Sequence, residues 1–130
     1  MNDENIQKPV RDILIVDDSF DVRAMLKEVL RMQKITNVDE ARDEDTAIEK
    51  LYRFNYKLIF LDIELESGNG ITVLKRIKEN IPRTKVIMVS GFNTPDNVRK
   101  AIINGADGFI AKPFTPAKIL SILDDLALAS

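Results

Sequence analysis

The sequence predicts an α/β fold: a single doubly wound, five-stranded parallel sheet with helices on both faces. Three observations carry this. Short continuous apolar runs, such as Ile13-Leu14-Ile15-Val16 and Leu58-Ile59-Phe60-Leu61, have the length and all-apolar character of strands buried on both faces. Between the runs lie segments with apolar residues at helical spacing. The two signals alternate along the chain, five of each, and repeated βα units call for a parallel sheet covered on both sides.

Taken in order, residues 1–10 are polar and patternless and read as a flexible N-terminal arm, with one domain over residues 11–130. The first strand spans residues 12–17. Ser19 then stands where an N-cap belongs, and Val22, Met25, Leu26, Val29 and Leu30 follow at helical spacing. Residues 35–42, with Ile35, Val38 and Ala41, carry a weaker strand signal suited to an edge. A helix with Ala47, Ile48 and Leu51 on one face runs from about residue 45 to 54. Residues 57–62 form the second fully apolar strand, closed by Asp62. Gly68-Asn69-Gly70 punctuates a loop, and the helix bearing Ile71, Val73, Leu74 and Ile77 ends before Pro82. Residues 85–90 are the next strand; Thr94 or Asp96 caps a helix with Val98, Ala101 and Ile102, which Gly105 ends. A short last strand covers residues 108–111, and residues 116–126 form the final helix.

Composition narrows the chemistry. A chain of 130 residues, 45% hydrophobic and 31% charged, suits one globular domain. Its net charge of −2 gives no basic field for nucleic acid. With no cysteine and no histidine, disulfides, thiolate zinc sites, imidazole bases and the Ser-His-Asp triad are excluded. Carboxylates without softer ligands favour a hard cation such as Mg²⁺, Mn²⁺ or Ca²⁺. No signal-peptide pattern and no run long enough to cross a bilayer is present, so a cytoplasmic location with no membrane partner is the expectation.

In open parallel sheets, ligands bind outside the carboxyl ends of the strands. The first strand ends at Asp17-Asp18, the third at Asp62, the fourth at Ser90 and the fifth at Lys112. Two carboxylates about 4 Å apart repel by about 4 kcal/mol at an effective dielectric near 20. Such a pair needs water or a positive charge beside it. Three carboxylates suit Mg²⁺, which takes oxygen ligands and keeps some waters. A carboxylate beside the metal can attack phosphorus, while the metal and a lysine stabilise the charge on the phosphoryl oxygens, and Ser90 can donate a hydrogen bond to one. Each residue alone has an ordinary reading as a helix cap, a turn or a solvated charge. Their conjunction at successive strand ends points to phosphoryl transfer onto a side chain.

The sequence resembles the receiver domain of bacterial two-component response regulators, of the stand-alone chemotaxis type, over residues 11–126. The resemblance rests on Ile15-Val16-Asp17-Asp18-Ser19 with Arg23 beyond, Leu61-Asp62-Ile63, Gly70-Ile71, Val89-Ser90-Gly91, Gly105-Ala106-Asp107-Gly108-Phe109 and Lys112-Pro113-Phe114. It implies a flavodoxin-like strand order, 2-1-3-4-5. It implies that Asp62 accepts a phosphoryl group and that Asp18, Asp62 and the Glu64 carbonyl ligate Mg²⁺, with Asp17 acting through a metal-bound water. Lys112 would contact the phosphoryl group, Ser90 would bond it on switching, and Phe109 would report the switch by its rotamer. The Lys112-Pro113 peptide is expected to be cis. The implied partners are a sensor histidine kinase or phosphotransfer protein and a downstream effector protein that reads the surface of the fourth helix, last strand and last helix.

The loop Ile63-Glu64-Leu65-Glu66-Ser67-Gly68-Asn69-Gly70 departs from the family pattern, lacking its usual proline. Glu64 and Phe92, two residues past Asp62 and Ser90, are expected to set the lifetime of the phosphorylated state. Three other readings remain at this point. A small aspartyl-phosphate phosphatase would need an Asp-x-Asp on the first strand, which Asp17-Asp18 does not supply. A flavin carrier would need a phosphate-cradling loop there. A receiver-like scaffold that is never phosphorylated would keep the fold alone.

Overall fold

The computed structural model describes residues 8–126. Its elements are β1 (Val10–Val16), α1 (Phe20–Met32), β2 (Val38–Ala41), α2 (Glu44–Arg53), β3 (Asn55–Leu61), α3 (Gly70–Asn80), β4 (Lys85–Ser90), α4 (Pro95–Ile103), β5 (Gly108–Ala111) and α5 (Pro116–Asp125). The sheet has five strands in the order β2-β1-β3-β4-β5, and every neighbouring pair is parallel.

Alternation along the strands sorts the core into two layers. Leu14 and Val16 of β1, with Ile59 and Leu61 of β3 and Val86 and Met88 of β4, meet Ala47 of α2, Val73, Leu74 and Ile77 of α3, and Ala101 of α4. Ile13, Ile15, Leu58, Phe60, Ile87 and Val89 point the other way, onto Leu26, Val29 and Leu30 of α1 and Ile119 and Leu123 of α5. The middle strands are thus apolar on both faces, which is why they read as continuous runs. Fully burying one such side chain is worth about 1.5–3 kcal/mol. After β1 the chain steps outward to β2, then returns past β1 to lay down β3. The winding reverses between β1 and β3, so a crevice opens at the ends of those two strands.

Helix starts are fixed by short polar side chains that accept a first-turn N–H. Ser19 accepts from Val22, Asp43 from Thr46, Asn69 from Ile71 and Thr94 from Asn97. Thr94, not Asp96, is therefore the cap of α4. The expected cis peptide between Lys112 and Pro113 is present.

Several boundaries differ from the sequence-based ones. β1 begins at Val10, not residue 12, and β3 at Asn55, not residue 57, because Val10 pairs with Asn55 and the Asn55 N–H donates to the Pro9 carbonyl at 2.9 Å. The last residue assigned to the arm is thus in the sheet, and residues 1–7 lie outside the described residues. β2 is shorter than residues 35–42. Ile35 is buried, but its N–H donates back to Leu30 at 3.0 Å after Lys34 turns through φ +63°, so it closes α1 instead of starting the strand. α2 starts at Glu44, one residue before the expected 45.

Candidate functional site

Three strand ends finish in the same local way. Asp17 Oδ1 accepts from the Ser19 N–H at 2.9 Å, Asp62 Oδ1 from the Glu64 N–H at 3.2 Å, and Ser90 Oγ from the Phe92 N–H at 3.0 Å. In each the side chain supplies the acceptor that the ladder no longer provides two residues on, a role only short polar side chains fill. The turns also fix one oxygen of each aspartate, and the other is engaged by Lys112.

Lys112 Nζ donates to Asp17 Oδ2 at 2.8 Å and to Asp62 Oδ2 at 2.7 Å. The lysine follows β5 directly, and its own N–H donates to the Ser90 carbonyl at 3.0 Å, so Ser90 and Lys112 are backbone neighbours across the sheet edge. Asp17 is 2% exposed and Asp62 5%, whereas Asp18 is exposed. The adjacent like charges are accommodated by division: one carboxylate turns inward onto an ammonium, the other outward to water. Burial pushes the Asp17 carboxyl above its ordinary 3.8, against the opposing pull of Lys112 and the Ser19 N–H. For Lys112, burial would lower the pKa, but its hydrogen bonds to Asp17 and Asp62 outweigh that and hold it above 10.5.

The strand end is also held from outside. Arg23 Nη1 donates to the Asp17 carbonyl at 2.6 Å, while its Nε donates to Glu40 on β2 at 3.0 Å. Lys27 reaches the same glutamate at 2.8 Å. Arg23 belongs to the family-like motif but had no role by sequence; Glu40 and Lys27 had no signal at all, being ordinary charges on an edge strand and a helix.

The structure brings together Asp17, Asp18, Asp62 and Lys112, with Ser90 buried beside them. One carboxylate oxygen from each of the three aspartates lies within 4.8 Å of the others. An all-oxygen donor set of this size and charge fits a hard divalent cation. The Glu64 side chain is exposed, but its backbone N–H holds Asp62. Phe109 stands apart from the cluster. It lies opposite Met88, half-buried against the core layer under α2, α3 and α4, three residues before Lys112 and so about 10 Å along the strand.

Residues 13–124 match the family model described as the response regulator receiver domain. The chain belongs to the response regulator receiver domain family. This receiver domain is 36% identical over 112 residues to the chemotaxis protein CheY of Bacillus subtilis, covering 86% of this chain and 93% of that one. It is 30% identical over 119 residues to the chemotaxis protein CheY of Halobacterium salinarum, covering 92% and 98%. Among solved structures it is similar to the BeF3-activated DrrB receiver domain, with a TM-score of 0.80 and 25% identity over 91% of this chain and 97% of that one. Receiver domains are the phosphoacceptor signalling modules of two-component systems, working with histidine kinases or phosphotransfer proteins and with effectors. Among the described residues of this receiver domain, no helix is long and apolar enough to cross a membrane.

Proposed function

We propose that this receiver domain takes a phosphoryl group onto Asp62 in the presence of Mg²⁺ and presents a changed α4-β5-α5 surface to a partner protein. The observation that carries the reading is the grip on Asp62: one oxygen held by the Glu64 N–H, the other by Lys112, with Asp17 and Asp18 alongside. In this reading Asp18, Asp62 and the Glu64 carbonyl hold the cation, with Asp17 reaching it through water. Bound Mg²⁺ supplies electrostatic stabilisation for charge on the transferring oxygens. Asp62 forms the new P–O bond as the donor's bond to phosphorus breaks, and the donor group leaves with the electron pair. Lys112 neutralises one phosphoryl oxygen. The similarity to a receiver domain activated by BeF3, whose fluorides stand about beryllium as oxygens do about phosphorus, supports this assignment.

The output would follow from charge. Added negative oxygens draw the Ser90 hydroxyl toward the site, and Phe109, on the strand just before Lys112, turns into the room left behind. The donor would be a histidine kinase or phosphotransfer protein, and the reader a downstream effector protein, in the cytoplasm. Incubation with Mg²⁺ and acetyl phosphate followed by intact-mass measurement tests the proposal. A phosphate-sized increment in wild type, absent in Asp62→Asn, is expected. No increment from any phosphodonor would leave the unphosphorylated scaffold instead.

A further inference from the structure

We propose that Glu44, on α2, is a positioning residue: it clasps the loop between Asp62 and Gly70 and thereby sets how tightly the domain binds Mg²⁺. The inference rests on the phosphoacceptor reading and adds to it a residue that touches none of the acidic cluster.

Glu44 holds the loop at two points. Its backbone N–H donates to the Ser67 carbonyl at 3.0 Å, and its Oε1 accepts from the Asn69 N–H at 3.2 Å. The two bonds flank Gly68, which turns the loop at φ +98°. A Cβ on Gly68 would lie 2.5 Å from both Glu44 Cβ and Oε1, so the clasp closes only over a glycine. Asn69 is the N-cap of α3, and Glu44 is the first residue of α2. One carboxylate therefore lies against the positive ends of two helices, a favourable place for it.

The clasp is connected to Asp62 by the next residue. Gly70 donates its N–H to the Ile63 carbonyl at 2.8 Å and packs directly on the Asp62 carbonyl. Ile63 and Glu64 then lead back to the N–H that holds Asp62 Oδ1. Leu65 is buried in the core and Glu64 bridges to Asn69, but the turn itself has little else to fasten it: Glu66, Ser67, Gly68 and Asn69 are all exposed, and the Arg42–Glu66 pair at 3.8 Å is exposed on both sides. An exposed turn of this kind, residues 66–69, opens locally at smaller cost than the buried part of the loop. If the loop opens, the fraction of molecules with Asp62 and Glu64 in register falls, and the apparent affinity falls with that fraction.

The test uses the full chain as wild type, Glu44→Ala, Glu44→Gln and Glu44→Asp, with Asp62→Asn as reference. Mg²⁺ is titrated while the Glu64 and Asn69 amide resonances are followed, and Asn69 amide exchange is measured without metal. Glu44→Ala is expected to lose protection at Asn69 and about tenfold in Mg²⁺ affinity, the low end for a residue supporting ligands. Glu44→Gln keeps an acceptor oxygen and should stay within about twofold of wild type. Glu44→Asp keeps the charge but is one methylene short of Asn69, so it should fall with Ala, and it carries the test should Ala fail to fold. Wild-type affinity in both short variants overturns the proposal, as does a loss that Gln does not rescue. A wild-type protein that neither binds Mg²⁺ nor gains phosphate overturns the phosphoacceptor reading beneath it. That failure is distinguishable, because Asp62→Asn would then change nothing.

Discussion

Gly70 lies so close to Asp62 that a Cβ on it would sit 1.9 Å from the Asp62 carbonyl oxygen. The carbonyl carbon of Asp62 and the Cα of Ile63 would be 2.7 and 2.8 Å away, all backbone atoms with no rotamer to yield. Gly70→Ala must therefore push the loop off the end of β3. A loss of about 2–3 kcal/mol is expected, the upper part of the range for overpacking, together with slower phosphorylation of Asp62. Gly91→Ala is the control, since a Cβ there meets nothing within 4 Å. Denaturant midpoints of the two variants should differ clearly, and similar midpoints would contradict the close approach.

The strands were legible where side chains decide the matter. β4 falls on the expected residues because Lys85 opens an apolar run buried on both faces, and β5, a half-buried edge strand, because Lys112 ends a short apolar run. β1 and β3 extend two residues further toward their amino ends, where pairing is carried by backbone groups and the residues include an exposed Val10 and the polar Arg11 and Asn55. The aspartates of the site were legible for a related reason: a charge ending an apolar strand is conspicuous. Arg23's bond to the Asp17 carbonyl and Glu44's hold on Asn69 were not. They join a helix's first turns to backbone elsewhere in the chain, and such contacts impose no periodicity on either segment.

Asp17 and Lys112 give opposite ends of one pH profile. Burial raises the Asp17 pKa, so the native state holds this proton more firmly than the unfolded chain does. Its contribution declines as pH rises from 3.8 through the raised value. Lys112 is raised because its two carboxylate partners outweigh burial; its contribution is complete below 10.5 and is lost as pH climbs through the folded value. Asp17→Asn keeps an oxygen for the Ser19 N–H and removes the desolvated charge. At pH 7 in a chelator it should be more stable than wild type by about 1 kcal/mol, the size of an ordinary single substitution. Saturating Mg²⁺ should reverse the order, since a ligand at 100 times its Kd stabilises by about 2.7 kcal/mol. Thermal unfolding with and without Mg²⁺ checks both signs; a less stable variant in chelator would mean that the bond to Lys112 outweighs desolvation.

A second network separates stability from function. The Tyr56 hydroxyl donates to Asp39 Oδ2 at 2.6 Å, and Arg11 donates to both oxygens of Asp39 at 3.1 and 2.9 Å. Burial would raise the Asp39 pKa, but Tyr56 and Arg11 outweigh it and hold it below 3.8. Its stabilisation is therefore present above 3.8 and lost as pH falls through the depressed value. Tyr56→Phe should cost about 1 kcal/mol at pH 7, and the deficit should shrink in acid. Arg11 and Tyr56 lie near the amino ends of β1 and β3, opposite the aspartate cluster. The phosphorylation rate should accordingly stay at the wild-type value, and a change in it would contradict the separation.

The lifetime of the phosphorylated state offers the sharpest test of side chains that the backbone turns place. Glu64 and Phe92 are the residues whose N–H groups hold Asp62 Oδ1 and Ser90 Oγ. Their backbone roles are shared by any residue but proline, so the side chains are free to serve something else. Both project into solvent, Phe92 with 47% of its surface exposed. Hydrolysis would need a water in line with the bond from phosphorus to Asp62, and in the phosphoacceptor reading proposed above Glu64 and Phe92 flank that approach. Glu64→Ala and Phe92→Ala should each shorten the half-life by about threefold to tenfold, which corresponds to roughly 0.7–1.4 kcal/mol on the barrier. Because the side chains are exposed, unfolding free energies should move by no more than about 0.5 kcal/mol. Loss of phosphate followed by intact mass after donor removal measures this, and unchanged half-lives in both single variants would rule out a shielding role.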